Sequence, residues 1–147
     1  MLSYSILGTM NMNIYGVPLT GSDICGFMGN TDEDICEKWT VLGAFYPFSR
    51  NHNALGSSPQ EPWVWWPKVT ANMKQAVQMK YSVLWYYYSE FWRIQSSYHD
   101  VSTFFKPMFY EFPDSELAYD DISRNIMLGQ SIKLSPNIKK GLTTVND

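Results

Sequence analysis

The chain has 147 residues, 45% hydrophobic and 17% charged, with a net charge of −3. That is the length of one average domain and the composition of a globular one, with no basic excess for nucleic-acid binding. No apolar run approaches the roughly 18 residues a membrane-spanning helix needs.

The N-terminal stretch is apolar but has no Lys or Arg before Lys38, so it lacks the positive start of a secretory leader and reads as an amphipathic segment. Ser3–Tyr15 has the spacing of a helix, with Ile6, Leu7, Met10 and Ile14 on one face, Gly16 as its C-terminal cap and Pro18 blocking continuation. Leu19–Ile24 is a candidate strand, and Gly26 and Gly29 mark the turn beyond it. Thr31 and Asp34 have capping-box spacing at the head of the next helix, where Asp32, Glu33 and Asp34 complement the helix dipole. Ile35, Cys36, Trp39 and Leu42 form its apolar stripe, Gly43 ends it, and Ala44–Phe48 reads as the next strand. Alternating helices and strands with short links predict a parallel sheet covered by helices.

Asn53–Lys68 is a loop with Pro, Gly and Ser that carries Trp63, Trp65 and Trp66. A loop so long and so aromatic is more often functional or an interface than idle. Thr70–Ser96 reads as one long helix, with Met73, Ala76, Val77, Tyr81, Leu84, Tyr87, Tyr88 and Phe91 at helical spacing. Near Ser102 the composition shifts to a β-rich pattern, with short strands expected in Lys106–Pro113 and Ile126–Ser135. Two parallel strands and part of a β unit cannot close a core alone, so the sheet is expected to need neighbours beyond this chain.

The segment Leu42–Asn53 (LGAFYPFSRNHN) runs from aromatics and a proline into Arg50, Asn51, His52 and Asn53. That is the pattern of a buried strand opening into a polar pocket, where parallel α/β proteins place their chemistry. Asp23, near the end of the preceding strand, is a candidate functional carboxylate or a turn former. Arg50 is expected to neutralise it, since an unpaired buried carboxylate is costly. His52, bracketed by asparagines, is a candidate base, ligand or hydrogen-bonding group. Cys25 and Cys36 are too few for a four-ligand zinc site and are open to two readings, buried thiols or one local disulfide. The chain contains no GxSxG, phosphate-binding glycine loop or HExxH. These residues describe a pocket for something polar beside an aromatic ring and name no reaction.

Gly21-Ser22-Asp23-Ile24-Cys25-Gly26-Phe27, Cys36, LGAFYPFSRNHN and Pro59-Gln60-Glu61-Pro62, in that order, resemble glycoside hydrolase family 31. Within it they are similar to the acid α-glucosidase, maltase-glucoamylase and sucrase-isomaltase branch rather than to glucosidase II. The resemblance continues through Lys106–Pro113, where the family commonly has Arg for Lys106. It implies an α/β fold: the last two strands and helices of a (β/α)8 TIM barrel over residues 1–101, then the start of a β-sandwich over residues 102–147. It also implies a Cys25–Cys36 disulfide, a secretory, lysosomal or extracellular location, and no cofactor or metal.

By the same resemblance His52 would bond glucose hydroxyls, Phe27 would lie against the sugar's apolar face, and Asp23 and Arg50 would form the pocket's charged floor. The substrate would be a maltose-like α-glucoside oligosaccharide. The family's retaining mechanism uses two Asp residues, and both are expected upstream of Met1, in the remainder of the same barrel. The chain alone is then expected to be inactive. The alternative from a different class is a non-catalytic sugar- or partner-binding protein derived from this fold.

Overall fold

The computed structural model describes residues 2–96 and 103–142. Helix α1 (Leu2–Ile14) leads to strand β1 (Asp23–Ile24), helix α2 (Glu33–Gly43) and strand β2 (Arg50–Asn51). Helices α3 (Pro67–Ser82) and α4 (Leu84–Ser96) follow, and then strands β3 (Phe105–Pro107), β4 (Ile126–Leu128) and β5 (Ile132–Leu134). β1 and β2 pair in parallel, Asp23 opposite Arg50 and Ile24 opposite Asn51. β3, β4 and β5 form an antiparallel sheet in that order. The expected border near residues 101 and 102 lies outside the described residues.

α1 falls within one residue of its expected span, but its inward face differs from the expected one. Ile6 and Met10 are buried, whereas Leu7 and Ile14 are exposed. Buried Ser5, Thr9 and Asn13 complete the inner face, four residues apart along the helix. Burial is tolerable because each has partners. Ser5 shares a hydrogen bond with the Tyr46 hydroxyl at 2.5 Å, and Thr9 donates to the Ser5 carbonyl at 2.8 Å. Asn13 Oδ1 accepts from Thr103 Oγ1 and from the Phe105 N–H, both at 3.0 Å. The first helix is thereby tied to the first strand of the antiparallel sheet.

The cap of α2 is Asp32, not Thr31: its carboxylate accepts from the Ile35 N–H at 3.0 Å. Lys140 donates to the other oxygen at 2.6 Å, and these bonds hold the carboxyl below its ordinary range. The expected strand Ala44–Phe48 is instead a compact turn. Ala44 is still helical in its backbone angles, and Phe45 and Tyr46 close back on Leu42 and Gly43. Ala44, Phe45 and Tyr46 are buried because the turn is wedged into the core, Tyr46 meeting Phe105 edge-on at 5.6 Å, whereas Phe48 is exposed. The ladder begins later, at Arg50, after the Phe48 N–H donates to the Thr20 carbonyl at 3.0 Å.

The expected single helix Thr70–Ser96 is two helices broken at Val83, whose angles (φ −108°, ψ 10°) leave the helical range. Neither Pro nor Gly causes the break. Ser82 Oγ donates to the Met79 carbonyl at 2.7 Å, a local bond that competes with helix continuation. Met73, Ala76 and Tyr87 are buried, whereas Val77, Tyr81, Leu84 and Tyr88 of the expected stripe are exposed. Phe104 packs against Tyr87 and Phe91, with ring centroids 4.5 and 4.7 Å away, joining α4 to the antiparallel sheet. The Tyr86 hydroxyl adds a polar joint, donating to the Leu128 carbonyl and accepting from the N–H groups of Gln130 and Ser131. Lys106 is buried and ion-paired with Glu111. In the expected strand Lys106–Pro113 only the start is extended, and a 3-10 turn takes over at Met108–Tyr110.

Candidate functional site

The parallel pair β1–β2 sends two polar loops out of its C-terminal end. In the first, the chain turns sharply after Ile24: the Gly26 N–H donates to the Asp23 carbonyl at 3.0 Å, and Cys25 and Gly26 have φ of 73° and 87°. Positive φ is unusual for a residue with a side chain. Here it is held from outside, because Cys25 forms a disulfide with Cys36 on α2. The turn presents Phe27, which is exposed, beside the loop that follows β2.

The second loop follows β2. Register alone puts Asp23 beside Arg50, and the side chains complete the pair: Arg50 donates to Asp23 Oδ1 through Nε at 3.1 Å and through Nη2 at 2.6 Å. The expected charge partnership is present, half in solvent, with Arg50 also 5.9 Å above the Phe48 ring. His52 lies beyond, its ring 5.2 Å from that of Phe27 and inclined by 34°. All four candidate side chains thus come from the ends of the two paired strands, as one ion pair and one ring pair.

A set of bonds centred on Gln60 fixes this geometry, and sequence reasoning assigned that residue no role. Gln60 is buried; its Nε2 donates to the Ile24 carbonyl at 3.2 Å and to Asn51 Oδ1 at 2.9 Å, while Asn51 Nδ2 donates back to the Gln60 carbonyl at 3.0 Å. The long loop is drawn across both strand ends. Its near end is clipped to the first loop, the Ala54 N–H donating to the Phe27 carbonyl at 3.0 Å and the Ser58 N–H to Asn30 Oδ1 at 2.8 Å. The signal available was a Gln between two prolines and beside a glutamate in an otherwise exposed loop.

Lys80 was also missed. It lines a cavity of about 410 Å³ with Ile24, Ser49, Arg50 and Asn51, donating to the Tyr46 carbonyl and to Ser49 Oγ, each at 2.7 Å, with its ammonium 5.2 Å from the Tyr87 ring centre. Its spacing from Met73 and Ala76 put it on the buried face of α3, which was the readable sign. Burial pushes its ammonium down from 10.5 to about 8. The unfolded chain keeps that proton to higher pH, so between these values the unfolded state binds more protons and this group's contribution to stability rises with pH. The buried phenols of Tyr46 and Tyr87 are pushed above their ordinary 10.0 and act in the opposite direction at still higher pH. The melting-temperature advantage of the parent over Lys80→Met is therefore expected to grow between about pH 7 and about pH 9.5. An advantage equal at both values would refute the desolvation of Lys80.

Parallel strands wrapped by helices, with every candidate polar group gathered at the strand ends, define the β/α class of enzyme scaffold. Comparison with known proteins narrows this. Residues 1–90 match the family model of the glycosyl hydrolases family 31 TIM-barrel domain. The chain is 42% identical over 135 residues to lysosomal alpha-glucosidase of Bos taurus, covering 92% of this chain and 14% of that protein. It is 38% identical to probable maltase-glucoamylase 2 of Homo sapiens, over 92% of this chain and 5% of that one. Among solved structures, the glucosidase II alpha subunit in its Glc1Man2-bound form superposes with a TM-score of 0.85 at 29% identity, over 98% of this chain and 15% of that chain. The chain belongs to glycosyl hydrolase family 31, and it spans a small part of the length of these relatives.

Proposed function

We propose that this chain is the C-terminal part of the catalytic domain of a retaining α-glucosidase that removes terminal α-linked glucose from maltose-like oligosaccharides. The observation that carries this reading is the tilted ring pair Phe27–His52 at the strand ends, backed by the Asp23–Arg50 ion pair. A flat ring beside hydrogen-bonding groups suits a pyranose, which has an apolar face and a rim of hydroxyls. In this reading His52 bonds hydroxyls of the terminal glucose, Phe27 covers its apolar face, and Asp23 and Arg50 hold the floor.

Retention needs two carboxyl groups roughly 5–5.5 Å apart across the scissile bond, one attacking the anomeric carbon and the other protonating the leaving oxygen. Asp23 is a poor candidate for either, because its carboxylate is clamped by Arg50. Both catalytic Asp residues are assigned to sequence upstream of Met1, in the same barrel. Residues 1–101 would supply the barrel's last two strands and helices and 102–147 the start of the following β-sandwich, consistent with the change from parallel to antiparallel pairing. The disulfide and the lysosomal relative support a secretory-pathway location.

The coding sequence ahead of Met1 tests this. The expected result is an open frame carrying two Asp motifs, and a stop codon directly upstream in the genome with transcription starting at Met1 would count against it. The purified 147-residue chain is expected to release no glucose from maltose. Turnover by that chain would overturn the assignment of the catalytic carboxylates.

A further inference from the structure

The long loop carries a second group of aromatics that the pocket does not use. Trp63 and Trp66 are 75% and 74% exposed, although indoles are usually well buried. They are not on a loose tip. The backbone around them is fastened: Thr70 Oγ1 donates to the carbonyls of Pro62 at 2.7 Å and Trp65 at 3.3 Å, and the Trp66 N–H donates to Glu33 Oε1 at 2.8 Å. Trp65 between them turns inward and packs on the core. Its indole N–H is buried without a hydrogen-bond partner among the described residues. Glu33, Val64, Trp65, Trp66 and Pro67 line an open cleft of about 340 Å³.

Two solvent-facing indoles on a fastened backbone, with the Glu33 carboxylate beside them, make a chemically specific surface. Neutral sugars bind through the C–H faces of their rings on aromatic planes and through hydroxyls on carboxylates; Glu33, which accepts one bond from the Trp66 N–H, keeps acceptor capacity that a purely apolar partner would cover without using. Rigidity matters as well, since a preset aromatic surface loses little freedom on binding. Topology supplies the position: this loop leaves the same end of the parallel pair as Phe27 and His52.

We propose that Trp63 and Trp66, with Glu33 and Trp65 beside them, form a second α-glucan-binding surface, separate from the pocket of Phe27 and His52. The class of sugar rests on the α-glucosidase reading above; the existence of the surface rests on the loop. It would hold a part of a long α-1,4 chain remote from the terminal residue.

The test uses the full chain with maltoheptaose as probe. Trp oxidation by N-bromosuccinimide is mapped by peptide mass spectrometry with and without the sugar. Trp63 and Trp66 are expected to be protected at least about fivefold, while Trp85 and Trp92, also exposed on α4, are not. Absence of protection at Trp63 and Trp66, or equal protection of all four, would overturn the proposal. In parallel, Trp63→Ala/Trp66→Ala is expected to weaken maltoheptaose binding about tenfold or more, and Phe27→Ala/His52→Ala to leave that component in place. Binding lost only in Phe27→Ala/His52→Ala would sink the second surface and leave the pocket reading standing. Protection at Trp63 and Trp66 in a gene with no catalytic Asp motifs upstream would do the reverse.

Discussion

Gly21→Ala is expected to cost about 3 kcal/mol or more and to dismantle the site. A Cβ at Gly21 would sit 2.0 Å from the Phe48 carbonyl oxygen, 3.1 Å from its carbon and 3.3 Å from Tyr46 Cβ. Two of these three are backbone atoms of the turn leading into β2, so no side-chain rotation relieves the clash. Relief requires separating the two segments where the Phe48 N–H meets the Thr20 carbonyl, immediately before Asp23 and Arg50 come into register. The loss would therefore be felt twice, in the urea midpoint and in the Asp23–Arg50 pairing. Gly8→Ala is the control: Gly8 lies on the exposed side of α1 with nothing within 4 Å of where the added methyl would stand, and the change is expected to stabilise by about 1 kcal/mol. Equal midpoints for the two variants would contradict this account of Gly21.

Loss of the Cys25–Cys36 disulfide is expected to cost about 3 kcal/mol, the chain-entropy value for so short a loop. The sequence separation is 11 residues. Cys25→Ser/Cys36→Ser and the parent under reductant are expected to unfold at the same denaturant concentration, well below the oxidised parent. The variant itself should not respond to reductant. A second effect follows from position. Cys25 holds the left-handed turn that presents Phe27, so opening the bond frees that ring from its place beside His52. A double-serine variant as stable as the oxidised parent would mean that the hydrogen bonds of Gln60, Asn51, Ala54 and Ser58 hold the two loops together without it.

Much of the architecture was legible because local signals and burial agreed. The α1 boundaries followed from apolar spacing, Gly16 and Pro18, and the Asp23–Arg50 pair followed from the cost of leaving a carboxylate unpaired between strands. The disulfide was not decidable from spacing alone; the family resemblance pointed to it. The expected strand Ala44–Phe48 misled because a short apolar run looks the same whether it is pleated or folded into a wedge. Its burial came from contacts with Ser5 and Phe105, far off in sequence. The break at Val83 carried no Gly or Pro to announce it. Gln60 and Lys80 escaped notice for a common reason: a polar residue's partners are visible only after folding, and each of these side chains has a backbone carbonyl as one of its two hydrogen-bond partners. Carbonyls leave no mark in a sequence.

Asn13 has a consequence for the order of events during synthesis. Among the described residues its side-chain Oδ1 accepts only from Thr103 and Phe105, 90 and 92 positions further along. A nascent chain emerging from the ribosome has made α1 long before those partners exist. Until they arrive, the inner face of α1 offers an amide oxygen with nothing buried to bond, although its Nδ2 already donates to the Thr9 carbonyl, and its apolar neighbours Ile6 and Met10 have no lasting cover. Closing so distant a contact is slow, and the waiting surface is prone to aggregation. The first helix is therefore expected to be among the last elements to dock, and early release from translation, before residue 105 is clear, would leave a product that cannot finish.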